Sequence, residues 1–160
     1  MEAGIGVAAG NGMAANGMMT GNDSLVRIGD LELHFKVDES NPVADVTVFE
    51  FVVPRDARVP APHHHVAVDE FIYGLAGTMT ATVDGVKHEI RAGDSIFIPR
   101  GCVHHHANLH AETARVLSVL TPGSIGKRYF EEIAEVVNAG GKPDIEKVKA
   151  IMLRHGLVPA

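Results

Sequence analysis

Between residues 31 and 120 the chain runs in short stretches of alternating apolar and polar side chains, each closed by a turn signal. Leu31–Val37 (LELHFKV) puts Leu31, Leu33, Phe35 and Val37 on one face and Glu32, His34 and Lys36 on the other. That period of two is the mark of a strand with one buried face. Asp45–Pro54 follows, rich in β-branched and aromatic residues, then Phe71–Leu75, Thr78–Val83, Val86–Arg91, Ser95–Ile98, His104–Asn108 and Ala114–Leu120. Between them stand Gly74 and Gly77, the hairpin dipeptide Asp84-Gly85, and the turn sequences RAGD (91–94) and PRG (99–101). Short strands at this spacing predict an antiparallel sandwich or barrel.

After Thr121–Ser124 (TPGS) the period becomes helical. Phe130, Ile133, Ala134 and Val137 share one stripe, with Glu131, Glu132 and Glu135 facing away, and Asn138 with Gly140–Gly141 ends the run. A second helix is expected over about Asp144 to His155, striped by Ile145, Val148, Ile151 and Met152 and stopped by Gly156. Residues 1–24, rich in Gly, Ala, Asn and Met, read as a flexible arm. The expected organisation is that arm, a mainly β barrel over 25–122, and a helical extension over 123–160. Those helices are expected to cover the outer face of the barrel or a partner subunit.

Composition narrows the partners. A formal net charge of −6 offers no basic face to a phosphate backbone, so nucleic acid is not expected. The apolar runs fall far short of a membrane span, and the single cysteine, Cys102, suits a reducing, cytoplasmic setting. Cys102 reads as a small filler. An exposed edge strand points to a homodimer.

Two internal triplets of histidine stand out, His63–His65 and His104–His106. In an extended strand His63 and His65 share a face while His64 points away, and His104, His106 and Asn108 share a face opposite to His105. Glu70 follows the first triplet on the next strand. His63, His65, Glu70 and His104 can therefore supply three imidazoles and a carboxylate to one divalent transition metal ion per chain: iron, manganese, nickel, cobalt, zinc or copper. Such a set leaves about two octahedral positions open. His106, on the same inner face, can be an acid–base group, a neighbour that orients a ligand, or a wall. His64, His88, His105 and His110 read as surface or hydrogen-bonded residues. Phe71 and Tyr73 read as packing, and Ile72, Ile96 and Ile98 as apolar walls near the ligands.

The same residues carry a resemblance. HHHVAVDEFIYGLAG resembles the first cupin motif through His63, His65, Glu70 and Gly77. GDSIFIPRGCVHHHAN resembles the second through Gly93, Pro99, Gly101, His104 and Asn108. The glycine that the family has before the first histidine falls on Ala57. The resemblance implies a cupin-type double-stranded β-helix, or jelly roll, with a metal on His63, His65, Glu70 and His104. The tail is similar to that of single-domain bacterial cupins grouped with quercetin 2,3-dioxygenases. That likeness implies a metal-dependent oxygenase acting on a small enolisable or phenolic compound, with Glu70 or His106 taking the substrate proton. The alternatives are a non-catalytic small-molecule-binding cupin and a metal-dependent isomerase or lyase for a sugar or small acid.

Overall fold

The computed structural model describes residues 24–59 and 61–160, so the arm expected over 1–24 lies outside the described residues except for Ser24, which begins the first strand. The strands are β1 (Ser24–Ile28), β2 (Leu31–Val37), β3 (Thr47–Val53), β4 (His63–His65), β5 (Asp69–Ala76), β6 (Thr78–Val83), β7 (Val86–Arg91), β8 (Ser95–Ile98), β9 (His104–Ala107), β10 (Ala114–Thr121) and β11 (Leu157–Pro159). The helices are α1 (Lys127–Val137) and α2 (Ile145–Arg154). All pairings are antiparallel, in one sheet ordered β1-β2-β3-β10-β5-β8 and another ordered β11-β4-β9-β6-β7. The two sheets face each other as the expected mainly β jelly roll, with two helices near the C-terminus.

Alternation decides what each sheet buries. Leu31, Leu33 and Phe35 of β2, Phe49, Phe51 and Val53 of β3, and Val116 and Leu120 of β10 all point inward. On β5 the inward positions are Glu70 and Ile72, which turns Phe71 and Tyr73 outward, 36% and 39% exposed. These two aromatics therefore lie on the outer face of the six-stranded sheet, beside Phe97 of β8, and do not pack in the core.

Turn chemistry fits the sequence. Asp84 and Gly85 both have positive φ, as a tight hairpin between β6 and β7 requires. Gly77 sits at φ +63, where an added Cβ would run into the Thr113 carbonyl. Asp144 caps α2 by accepting from the Glu146 and Lys147 amides. Two short strands have weak sequence signals. In β1 only Val26 and Ile28 are buried, and β11 is three residues long and contains Pro159.

The helices correct the expectation that they cover an outer face. Phe130 of α1 packs on Phe35 and Phe49, ring centroids 5.6 and 5.2 Å apart, and both partners belong to the inner face. The helices thus fill the gap between the sheets and wall the cavity. Tyr129, outside the expected stripe, is buried with Ile133. Glu132, expected to face away, binds Arg154 and lies 3.2 Å from His155 Nε2, which joins α1 to the end of α2. Removing residues 126–160 should expose the inner aromatics and give an aggregating chain. Ile133→Ala should cost about 2–5 kcal/mol in denaturant unfolding. A soluble, cooperatively unfolding truncation would contradict this packing.

Candidate metal centre

His63 and His65 occupy the ends of β4, with His64 between them half-buried on the other face. On one side β4 meets β9, where His63 faces His104; on the other it meets β11, where Leu157 faces His65. The Gly101 amide donates to the His65 carbonyl at 2.9 Å, tying the PRG turn to the same strand. Gly101 has φ +86, a conformation that favours glycine. Asn108 pins the end of β9, donating to the Val53 and Glu112 carbonyls and accepting from the His110 amide.

The result is a buried knot of rings. His63 and His104 lie 4.6 Å apart by centroid, His65 and His104 4.7 Å, His63 and His65 5.2 Å, and His104 and His106 5.3 Å. Donor atoms of His63, His65 and His104 all lie within 4.8 Å of one another, and so do those of Glu70, His104 and His106. The expected ligands are thus gathered as two triads that share His104, with His106 brought into the second.

Hydrogen bonding prepares these rings to bind a cation. His63 Nδ1 contacts the Ala61 carbonyl at 2.9 Å and His104 Nδ1 the Cys102 carbonyl at 3.0 Å. Each Nδ1 therefore donates, so that in the neutral ring it is Nε2 that keeps the lone pair a cation can use. His104 Nε2 and both ring nitrogens of His106 are buried without a hydrogen-bond partner. His104 Nε2 lies 3.2 Å from Glu70 Oε2, where a proton on that nitrogen is attracted to the carboxylate and a cation can take its place. Leaving such groups unpaired is costly, and a divalent ion satisfies lone pairs and carboxylate together. The residues fit a metal: His63, His65 and His104 with Glu70 would hold it, and His106 stands beside Glu70 at 3.6 Å.

Protonation agrees. Burial, reinforced by the charge of His104, lowers His63 to about 3. Burial lowers His65 to about 4 against the pull of Glu70. Burial works to raise Glu70, but His106 and His104 outweigh it and hold the carboxylate well below its ordinary range. Burial works to lower His104, but Glu70 outweighs it and the ring is raised. At neutral pH the site therefore offers neutral rings at His63 and His65 and a charged carboxylate.

Other expected positions fall as follows. His105 Nε2 contacts the Val59 carbonyl at 3.1 Å and His110 Nε2 the Thr80 hydroxyl at 3.4 Å, so both serve as hydrogen-bonding residues. His88 is exposed. Cys102 is half-buried, and burial followed by Asp84 raises its thiol. Ile72 and Ile98 are buried and Ile96 half-buried, but none of the three faces the cavity. That cavity, about 70 Å³, is walled by His63, His65, Glu70 and His106 at one end. Phe49, Phe51, Tyr129 and Met152 are among its other walls. The contribution of Tyr129 and Met152 was hidden because helix-to-sheet contacts leave no local pattern.

A β-jelly roll with an inward cluster of histidines and a glutamate defines a β-barrel with a site suited to a metal. The cupin domain family matches residues 49–120. Protein SchB of Streptomyces halstedii is 32% identical over 92 residues, covering 55% of this chain and 67% of that protein. The chain belongs to the cupin family. Dimethylsulfoniopropionate lyase DddW of Ruegeria pomeroyi is 49% identical over 43 residues, 27% of this chain and 28% of that protein. The polyketide cyclase RemF from Streptomyces resistomycificus is 26% identical with a TM-score of 0.55, over 62% of this chain and 74% of that one. No described helix is long and apolar enough to cross a membrane.

His104→Ala should abolish metal retention, measured by elemental analysis, while the barrel still folds. His105→Ala should keep the metal and cost about 0.5–1.5 kcal/mol for one lost hydrogen bond. Equal metal contents in the two variants would refute the face assignment on β9.

Acid should destabilise the metal-free protein. His63 and His65 have folded values below their unfolded value of 6.5, so the unfolded chain binds more protons in between. Their contribution is present above pH 6.5 and is lost as pH falls toward 4 and then 3. His104, raised, acts in the opposite sense. The thermal midpoint of the metal-free chain should fall from pH 7 to pH 4, and the fall should flatten in a His63→Gln/His65→Gln variant.

Proposed function

We propose that this cupin is a metal-dependent oxygenase acting on a small enolisable or phenolic compound. The observation that carries this reading is the joining of the His/Glu cluster to an otherwise apolar cavity closed by α1 and α2. When bound, the ion would supply Lewis acidity toward a substrate oxygen and a place for O₂ beside it. Glu70 and His106 do the proton work. The Glu70 carboxylate is ionised, lies 3.6 Å from His106 Nε2, and shares the cavity wall with that ring, so a proton taken from the substrate can pass between them. The apolar walls exclude bulk water and hold an aromatic or alkyl body against the cluster.

A second reading is favoured by one finding, the 26% identity to the polyketide cyclase RemF. The same proton removal can lead to ring closure or elimination with no O₂ consumed. Oxygen uptake separates the two. Protein purified without added metal, analysed for its elements and supplied with flavonols and other enolisable phenols, should consume O₂ in proportion to metal content. His104→Ala should consume none, and Glu70→Gln should lose at least about a hundredfold in rate. Product formed without O₂ uptake supports the second reading, and saturable binding with no product defeats both. The proposal includes a homodimer, supported by the outward Phe71, Tyr73, Leu75 and Phe97. Light scattering on the same samples should give twice 17.0 kDa.

A further inference from the structure

A second cavity, about 290 Å³, lies beside the first. It opens among the β1–β2 turn, the segment 57–59 before β4, and the start of α2. Ile28, Leu31, Val59 and Val148 line both cavities, so these four side chains are the partition between the outer chamber and the chamber that holds the histidines.

The charge in this outer chamber is distinctive. Of the chain's eight arginines, seven have a carboxylate within 4 Å: Arg27, Arg55, Arg91, Arg100, Arg115, Arg128 and Arg154. Among the described residues the eighth, Arg58, has none, and it lines the outer chamber. Asp30 lines the same chamber without pairing with it. The backbone that carries Arg58 is fixed. Arg58 forms a β-bridge with Ala107, the Val59 amide donates to the His106 carbonyl at 3.0 Å, and the Asn108 amide donates to the Ala57 carbonyl at 2.9 Å. Arg58 is thus carried on a segment paired with the strand that bears His104 and His106. A planar fork of donors on a fixed backbone, over apolar walls, is the arrangement that selects a carboxylate attached to an apolar body.

We propose that the outer chamber is a docking site for a compact apolar carboxylate, bound through Arg58, and the way by which such a compound reaches the inner cavity. As a statement of substrate class this rests on the function proposed above, since an enolisable or phenolic acid would meet both chambers. As a binding site it stands without the metal.

Titration of the full chain followed by amide NMR tests the site, with 4-phenylbutyrate as the acid probe and 4-phenylbutan-1-ol as its neutral counterpart. The acid should bind the wild-type chain more tightly than the alcohol and shift the amides of Gly29, Ile145 and Val148. Arg58→Gln should weaken the acid about tenfold and leave the alcohol unchanged, as loss of a charge-assisted pair requires. Arg58→Lys, which keeps the charge but not the fork, should fall between. The spectra themselves report whether each variant is folded. Equal binding of acid and alcohol, no binding of either, shifts confined to other parts of the chain, or an unchanged acid affinity in Arg58→Gln would each overturn the docking site. Metal content measured on the same samples keeps the two proposals apart. A metal-free wild-type protein that still binds the acid through Arg58 refutes only the metal-dependent function, and a metal-loaded protein indifferent to charge refutes only the docking site.

Discussion

The site depends on how β4 is held. Three residues cannot form a stable strand alone, and β4 pairs with β9 through the single facing pair His63 and His104. It is held by addition: β11 along its other edge, the Gly101 amide on the His65 carbonyl, and the Val66 amide on the Gly156 carbonyl. These contacts come from distant parts of the chain, and together they place two imidazoles opposite a third. The C-terminal tail, remote in sequence from the histidines, is therefore part of the frame of the candidate metal site.

The same frame explains why the interior tolerates so many polar groups. His63, His65, His106 and Glu70 are buried at one end of a cavity whose other walls are mostly apolar, with His104 buried beside them. Backbone carbonyls at Ala61 and Cys102 settle the tautomers of two rings, and the carboxylate draws positive charge toward the cluster. What remains unpaired, His104 Nε2 and the nitrogens of His106, is what a cation or a substrate oxygen would satisfy. Stability and function meet here, because the buried donors cost free energy until something binds them.

Much of this was legible beforehand because strands write their faces with a period of two. His63 and His65 inward with His64 aside, and His104 and His106 inward with His105 aside, follow from alternation alone, and the burial pattern agrees. The Asp84-Gly85 hairpin was legible because its chemistry is local. Other features were not. The cap of α1 comes from Glu39, whose carboxylate accepts the Lys127 and Arg128 amides across 88 and 89 residues. Asn138 ties the end of α1 to Arg27 and Gly29 in the same long-range way. No window of sequence contains such a pair.

The sequence by itself determined the alternation of faces, the turns, the helical tail and the residue types that can grip an ion, since each depends on neighbours a few positions apart. Only the tertiary structure decided that the helices enter the gap between the sheets, that His106 joins Glu70, and that Arg58 lines a chamber without a carboxylate partner among the described residues. Those outcomes depend on which distant surfaces meet, and that is settled by burying the apolar area of the whole chain at once.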